Sequence, residues 1–326
     1  MAKHVMQLHR VDIHTGEVID KPIRREAFLE HFANREPCLI GMEACGGAPH
    51  WARELNKLGH KVKLMSLKFV KAFVIGNKND VMDARAIWMA VQQPGKAVAA
   101  KSEGQQSMLV LHKMRRQLVK FRTAQINNLH GLLLEYGETL RRGRIALYTA
   151  MPEVLKRLRE RLPLFLVETL REQWHKLDDI DSQIDEIEKR LLMWKKQDKA
   201  CQANAAIPGI GLLTATAAVA AMGAPKGFRS GREFAAWLGL VPKQVGTGER
   251  IKLLGISKRD DAYLRTLFIH GARSVLTHVK EPGRFAEKMK QHNSSNVATV
   301  ANKRVNAKRL RRQLEEITKT SQIGTR

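Results

Sequence analysis

Two aspartates three residues apart, Asp80 and Asp83, are the residues whose spacing most directly suggests chemistry. The stretch around them predicts the start of a helix, on which both carboxylates would share one face. The chain carries a net charge of +25, which predicts a polyanionic partner such as nucleic acid. Carboxylates on a basic protein suit a metal-dependent nuclease or recombinase, because oxygen ligands hold divalent ions that act on phosphodiesters. The same spacing also fits an ordinary helix start, with Asp80 as N-cap and Asp83 as a first-turn acid.

A third acid, Glu43, directly follows a short apolar run at residues 38–42. Such a run is typical of a buried strand. Strand-like and helix-like segments alternate through the first hundred residues, and this predicts a sheet flanked by helices. Open α/β sheets usually place their sites at the carboxyl ends of strands, which is where Glu43 would lie.

A hydroxyl group, that of Thr247, stands between two glycines in a basic stretch. A hydroxyl among cations suits a nucleophile that approaches DNA phosphate. A turn on a solvated basic face would give the same pattern. The neighbouring cations are Lys243, Arg250, Lys252, Lys258 and Arg259.

Two further segments could bind a phosphate backbone. The turn containing Gly209 and Gly211 precedes a helix of small residues, as in helix-hairpin-helix modules, although Pro-Gly turns between helices are frequent anyway. The tail is a basic run that fits either a solvated helix face or a nucleic-acid arm. Its cations include Lys303, Arg304, Lys308 and Arg309.

The middle of the chain has apolar residues at heptad spacing. This stripe predicts a coiled-coil seam, which would serve a homo-oligomer, although an intramolecular helical hairpin would look the same. Arg141 and Arg144 mark the expected turn between the two arms. One heptad position holds Leu170, Leu177, Ile184 and Leu191, and the other holds Ile180, Ile187 and Trp194.

Length and composition set the outer limits. At 326 residues the chain has room for two or three domains. It contains no apolar run of membrane-spanning length and no signal-peptide pattern, so we expect cytoplasmic residence without a membrane partner. The three cysteines, Cys38, Cys45 and Cys201, are too few for a disulfide framework and lack zinc-ligand spacing.

Taken together, these segments resemble the DEDD transposases of the insertion sequence 110 family. The similarity is to the insertion sequence 1111 branch and extends to the Piv DNA invertase. It covers nearly the whole chain, with the segments in family order. They are Met42-Glu43-Ala44-Cys45-Gly46, Asn77-Lys78-Asn79-Asp80 with Asp83-Ala84, Ile207-Pro208-Gly209-Ile210-Gly211, Leu238-Gly239-Leu240-Val241-Pro242 and Leu254-Gly255-Ile256-Ser257-Lys258-Arg259.

The resemblance implies an α+β or α/β chain with four parts. Residues 1–103 would form a RuvC-like domain of the RNase H fold, residues 104–199 an antiparallel coiled coil, and residues 200–290 a mainly α-helical transposase domain. Residues 291–326 would form a basic tail. The resemblance also implies Mg²⁺-dependent cutting and rejoining of DNA, guided by a structured non-coding RNA. Glu43, Asp80 and Asp83 would be three of four metal-binding acids, and the family's serine nucleophile falls on Thr247.

The family pattern departs from this chain at both ends. The family's first acid lies on its opening strand, in a Gly-Ile-Asp-x-x-Lys segment, whereas Met1-Ala2-Lys3 corresponds to the end of that segment. We therefore expect the first acid and much of the first strand to be absent, which would leave strand backbone unpaired. The tail is basic where the family has an apolar ending, so both ends suggest a truncated or decayed gene product.

Three hypotheses follow from the sequence. The first is a recombinase of this family, and the second is a catalytically inactive, nucleic-acid-binding remnant of one. The third is an architectural basic coiled-coil protein, in which the three acids are coincidental.

Overall fold

The structure is a computed structural model that describes residues 4–12, 14–77, 79–94, 97–223, 227–247, 250–258, 261–278 and 309–311. The chain divides into two compact units. Unit 1 comprises residues 1–105 and 222–229, and unit 2 comprises residues 106–221 and 230–326. Several residues predicted to contact nucleic acid lie outside the described residues, as does most of the predicted basic tail. They are Arg259, Lys303, Arg304 and Lys308.

Unit 1 begins with an antiparallel hairpin of strands β1 (Val5–Val11) and β2 (Val18–Arg24). The turn uses Gly16 at a φ of 72°, a conformation that glycine adopts without steric cost. Asp12 helps to close the turn, because its carboxylate accepts hydrogen bonds from the main-chain N–H groups of His14 and Thr15. Strand-like segments on both sides of Thr15-Gly16 predict this hairpin from the sequence, and the structure confirms it.

A second, three-stranded sheet follows in the order β3-β4-β5. Strands β3 (Leu39–Glu43) and β4 (Lys61–Met65) are parallel, and β5 (Ala97–Val98) is antiparallel to β4. The helices of the unit are α1 (Phe28–Ala33), α2 (Ala48–Lys57), α3 (Leu67–Val70) and α4 (Asp80–Gln92). This is the predicted alternation of strands and helices, with a mixed rather than a purely parallel sheet.

Both sheets share one core in unit 1. Met6 of β1 and Met42 of β3 are buried in the same apolar cluster as Phe28 of α1 and Trp51 of α2. On the opposite face, α4 packs against β1, β3 and β4. The two sheets therefore lie in one layer between α1 and α2 on one side and α4 on the other.

Unit 2 contains two long helices that run antiparallel. Their side-chain pairs run in opposite directions along the two helices: Arg115 with Glu188, Arg122 with Asp181 and Gln125 with Gln173. The helices are α5 (Glu103–Glu135) and α7 (Leu164–Gln197).

The sequence predicted only a turn between these two helices, and that prediction is wrong. A third helix, α6 (Arg144–Arg159), lies between them, and its Leu147, Met151 and Leu158 are fully buried in a core that α5 and α7 share. The sequence concealed this helix, because Arg141 to Arg144 reads as a polar turn and Pro152 interrupts the helical pattern. A coiled coil that joins two copies stays a prediction.

The remainder of unit 2 is helical except for one hairpin. A short helix precedes the Pro-Gly turn, and the buried helix of small residues follows that turn as the sequence predicted. The exposed antiparallel hairpin was not predicted. The elements are α8 (Lys199–Ala205), α9 (Leu212–Met222), α10 (Gly231–Trp237), β6 (Pro242–Thr247), β7 (Arg250–Ile256) and α11 (Ala262–His278). Within the described part of the chain, no helix has the length and apolar character needed to span a membrane.

Candidate active site

Helix α4 begins at Asp80, and its N-cap is Asn79 rather than an aspartate. The Asn79 side chain accepts a hydrogen bond from the Met82 main-chain N–H at 2.8 Å. The interpretation of Asp80 as N-cap is therefore wrong, because the neighbouring amide already performs that role. Both Asp80 and Asp83 lie in the first turn, where the helix dipole favours negative charge. Because Asn79 caps the helix, neither aspartate carboxylate serves as the N-cap.

Glu43 reaches the same region because it is the last residue of β3. Side chains alternate between the two faces of a strand. A Cβ on Gly41 would contact Ile87 and Val91 of α4, so this face of β3 is turned toward α4. Glu43 is two residues further on and shares that face. The prediction that Glu43 lies at the carboxyl end of a strand is confirmed.

All three acids line one cavity of about 160 Å³ in unit 1. The Asp80 side chain is exposed, and the Asp83 and Glu43 side chains are half-buried. Within the described residues, none of the three carboxylates has a hydrogen bond or an ion pair. Three unpaired carboxylates around one cavity, in a strongly basic protein, would repel each other unless a cation joined them.

The donor chemistry of this cavity fits a hard divalent cation, because all three charged groups are carboxylates. The described residues nevertheless contain no group of three or more His, Cys, Asp or Glu side chains gathered closely enough to hold a metal ion. The three acids thus share a cavity without forming a closed set of ligands.

Gln7 is a lining residue that the sequence did not reveal. It lies on β1 and lines the cavity with the acids, and its side-chain amide donates to the Leu8 carbonyl at 3.3 Å. Gln7 reaches the cavity because strand β1 lies beside it in the folded chain, so no local sequence pattern could have marked this residue.

Thr247 is the last residue of β6 and lies in unit 2. It is paired across the hairpin with Arg250, and both residues are exposed. Opposite residues in an antiparallel pair have Cβ atoms roughly 5 Å apart, so the guanidinium and the hydroxyl can contact one phosphate. Lys243 and Lys252 are exposed on the same hairpin, and exposed Lys258 follows β7 at a φ of 53°.

The two glycines of the Pro-Gly turn have different surroundings. Gly209, at a φ of 82°, lies against Gly271 of α11, and a Cβ on it would come within 2.6 Å of the Gly271 carbonyl oxygen. Gly211 is open, with no atom within 4 Å of where its Cβ would lie. The exposed Gly211 precedes α9 and is better placed than Gly209 to meet a phosphate. Arg309, predicted to contact nucleic acid, is exposed and helical.

Comparison with known proteins identifies the family of this chain. A DEDD-type transposase model described as "Transposase" matches residues 5–138, and one described as "Transposase IS116/IS110/IS902 family" matches residues 201–287. The probable family 20 transposase of Pseudomonas aeruginosa is 40% identical over 314 residues, covering 94% of this chain and 93% of that protein. The chain belongs to the IS110/IS116/IS902 family of insertion-sequence transposases.

Two further relatives are transposases of named insertion elements. That of IS1328 from Yersinia enterocolitica is 37% identical, with 93% of this chain and 92% of the relative covered. The transposase of IS1111A from Coxiella burnetii is 38% identical, with 86% of this chain and 77% of the relative covered. These similarities are consistent with the IS1111 branch, and membership of the family supports an enzyme of DNA transposition. The DEDD type fits an RNase H-like fold for unit 1 and implies a divalent-metal site in general.

Proposed function

We propose that this transposase cleaves and rejoins DNA strands at the ends of its element, using Mg²⁺ held by Glu43, Asp80 and Asp83. The observation that carries the proposal is the cavity lined by three carboxylates that have no partner within the described residues. A bound Mg²⁺ would neutralise their mutual repulsion and polarise the phosphodiester. The carboxylates would set the position of the scissile phosphate through the metal.

We assign the nucleophile to the Thr247 hydroxyl. Its Oγ1 would bond to phosphorus and release its proton to water, while the sugar oxygen would leave the phosphate and take up a proton from water. Arg250 across the hairpin would bind the phosphate and stabilise its developing charge. The β-branch of threonine narrows the approach compared with serine. Attack on this covalent link by another DNA end would rejoin the strands.

Replacing the acids one at a time tests the metal assignment. Glu43→Gln, Asp80→Asn and Asp83→Asn preserve shape and remove one charge each. Each should lower Mg²⁺-dependent cleavage of DNA carrying the element's ends by at least ~100-fold. Calorimetric Mg²⁺ affinity should fall in parallel. The exposed Asp179 of α7 provides a matched control as Asp179→Asn. Wild-type cleavage by Asp80→Asn would overturn the acid assignment.

A pair of substitutions separates the hydroxyl of Thr247 from its shape. Thr247→Val keeps the β-branch without the hydroxyl and should abolish any covalent protein–DNA adduct. Thr247→Ser keeps the hydroxyl and should retain the adduct. Adducts can be counted after denaturing electrophoresis with end-labelled DNA. An adduct that survives in Thr247→Val would place the nucleophile elsewhere.

The remnant hypothesis keeps a specific observation in its favour. The three carboxylates are not gathered into a metal-binding group within the described residues. A remnant would bind DNA through its basic surface, with no cleavage in Mg²⁺. Wild-type chain that binds element-end DNA but shows neither cleavage nor adduct would favour it over the recombinase.

Two partners complete the proposal. We propose that a structured non-coding RNA guides target choice, and that two copies associate through the long helices α5 and α7. Both proposals come from family resemblance and the heptad pattern of α7. Co-purification of a discrete RNA and the mass of the particle in light scattering test them separately.

A further inference from the structure

One side of the cavity in unit 1 is the face of α4 that carries the two aspartates. Asp80, Asp83 and Ile87 all line the cavity. They are spaced by three and four residues, so they share one face of the helix. That face is turned toward the sheet layer, because α4 packs against β1 and β3. The other polar side chains of the lining come from these two strands, Gln7 from β1 and Glu43 from β3.

The Gln7 side chain lies on the α4 side of the sheet layer. Two residues further along β1, the His9 ring contacts Trp88 of α4, with the ring centroids 5.5 Å apart. Alternate residues of a strand share one face, so His9 and Gln7 both face α4. Met6, on the other face of β1, is buried in the core that α1 and α2 share. Gln7 therefore faces the same helix as Glu43.

The side-chain oxygen of Gln7 has no hydrogen-bond donor in the described part of the chain. Its Nε2 donates to the Leu8 carbonyl at 3.3 Å. A carbonyl oxygen only accepts hydrogen bonds, so this contact fixes which end of the amide is the nitrogen. Oε1 is the other end, and Gln7 is half-buried where it lines the cavity. An acceptor held in this way is stabilised when a donor or a cation binds it.

We infer that Oε1 of Gln7 is an oxygen ligand for the divalent cation proposed at Glu43, Asp80 and Asp83. Side-chain amide oxygens bind hard cations alongside carboxylates. The three carboxylates do not form a closed set by themselves within the described residues, and Gln7 adds a donor from β1. The inference rests on the proposed metal site and extends it by one residue.

A neutral ligand suits a site that already carries three negative charges. A fourth carboxylate would add repulsion in the metal-free chain, whereas an amide oxygen adds none. Affinity for a divalent cation rises with the number of charged ligands. Gln7→Glu should therefore bind Mg²⁺ more tightly than the wild type, and its metal-free form should have a lower thermal midpoint.

Gln7→Met tests the ligand directly, because methionine has a similar length and flexibility but lacks the oxygen. Calorimetric titration of the full chain with Mg²⁺ should give an affinity at least ~10-fold below that of the wild type. The rise in thermal midpoint caused by Mg²⁺ should shrink in parallel, because that rise depends on affinity.

Gln92→Met is the matched control. Gln92 is an exposed residue of α4, and its Nε2 also donates to a main-chain carbonyl, that of Trp88, at 3.0 Å. This variant should bind Mg²⁺ like the wild type. If Gln7 had only a structural role, both of its variants would lower the metal-free thermal midpoint and leave Mg²⁺ affinity unchanged.

Wild-type Mg²⁺ affinity in Gln7→Met would overturn the assignment. Weaker binding in Gln7→Glu would also overturn it, and this measurement decides the matter if Gln7→Met does not fold. Asp83→Asn in the same titration separates Gln7 from the metal site itself. Loss of affinity in Asp83→Asn but not in Gln7→Met would exclude Gln7 alone, whereas unchanged affinity in both would overturn the metal site and Gln7 with it. None of these measurements requires DNA cleavage.

Discussion

At the residue scale, two glycines of unit 2, Gly209 and Gly271, lie directly against each other. A Cβ on Gly271 of α11 would lie 1.8 Å from the carbonyl oxygen of Gly209, so neither residue can carry a side chain without moving backbone. This contact seats the Pro-Gly turn against α11. The glycine of the predicted phosphate-binding turn thus has a packing role of its own.

Gly271→Ala should destabilise unit 2 by about 3 kcal/mol or more, because the new methyl group overlaps main-chain atoms that cannot rotate away. Chemical denaturation followed by circular dichroism measures the loss. Gly211→Ala is the matched control, since its Cβ would have no neighbour within 4 Å. The control should change the free energy of unfolding by less than about 1 kcal/mol. Similar losses in both variants would show that the close contact is not the cause.

At the element scale, a buried histidine joins three helices of unit 2. His112 of α5 is 1% exposed, and its ring nitrogens lie 3.0 Å from the hydroxyls of Thr216 in α9 and Tyr263 in α11. Thr216 donates its hydroxyl proton to the Leu212 carbonyl at 2.7 Å, so it accepts from Nε2–H of His112. Nδ1 of His112 then accepts from the Tyr263 hydroxyl. The network is satisfied by the neutral ring alone.

Burial, followed by the positive charge of Arg115, lowers the pKa of His112 to about 4. The ring therefore stays neutral in the folded chain at pH values where the unfolded chain already binds a proton. The stability it contributes is fully present above about pH 6.5 and is lost as the pH falls toward 4.

We therefore expect acidification across this window to lower the free energy of unfolding by up to about 3 kcal/mol. His112→Gln should be less stable near neutral pH, because it disturbs the network, and should show a flatter pH profile. Urea titrations at several pH values measure both effects. His175→Gln, at an exposed position on α7, should keep the wild-type slope. An unchanged slope in His112→Gln would assign the acid sensitivity to other groups.

At the scale of the whole molecule, the main feature is the excess of positive charge. The chain has 57 Lys and Arg residues against 32 Asp and Glu residues. Such an excess gives DNA binding that releases counterions and weakens as salt rises. The exposed cations on the β6–β7 hairpin place part of this charge beside Thr247.

Replacement of one cation on the β6–β7 hairpin should reduce the salt dependence of DNA binding. Lys252→Ala should weaken binding to all DNA sequences about equally and reduce the slope of log affinity against log salt by about 0.9. Fluorescence anisotropy across salt concentrations measures the slope. Lys57→Ala, where the lysine bonds to Glu54 at 2.9 Å, should leave it unchanged. Equal changes in the two variants would remove the hairpin from the DNA-binding surface.

The sequence by itself determined the elements of unit 1 and the acids they carry. Apolar alternation and turn residues act locally, so the first hairpin, the strand that ends at Glu43 and the helix that starts at Asp80 could be predicted from neighbouring residues. The family could be recognised from ordered short motifs. The helix cap was misassigned, because Asn79 and Asp80 are both good caps and only the backbone decides between them.

Only the tertiary structure decided what lies between these elements. The packing of α6 and the contact of Gly209 with Gly271 depend on partners that are distant in sequence. The partner that a residue packs against depends on how the elements assemble, and that is a property of the folded core rather than of the residues that form one element.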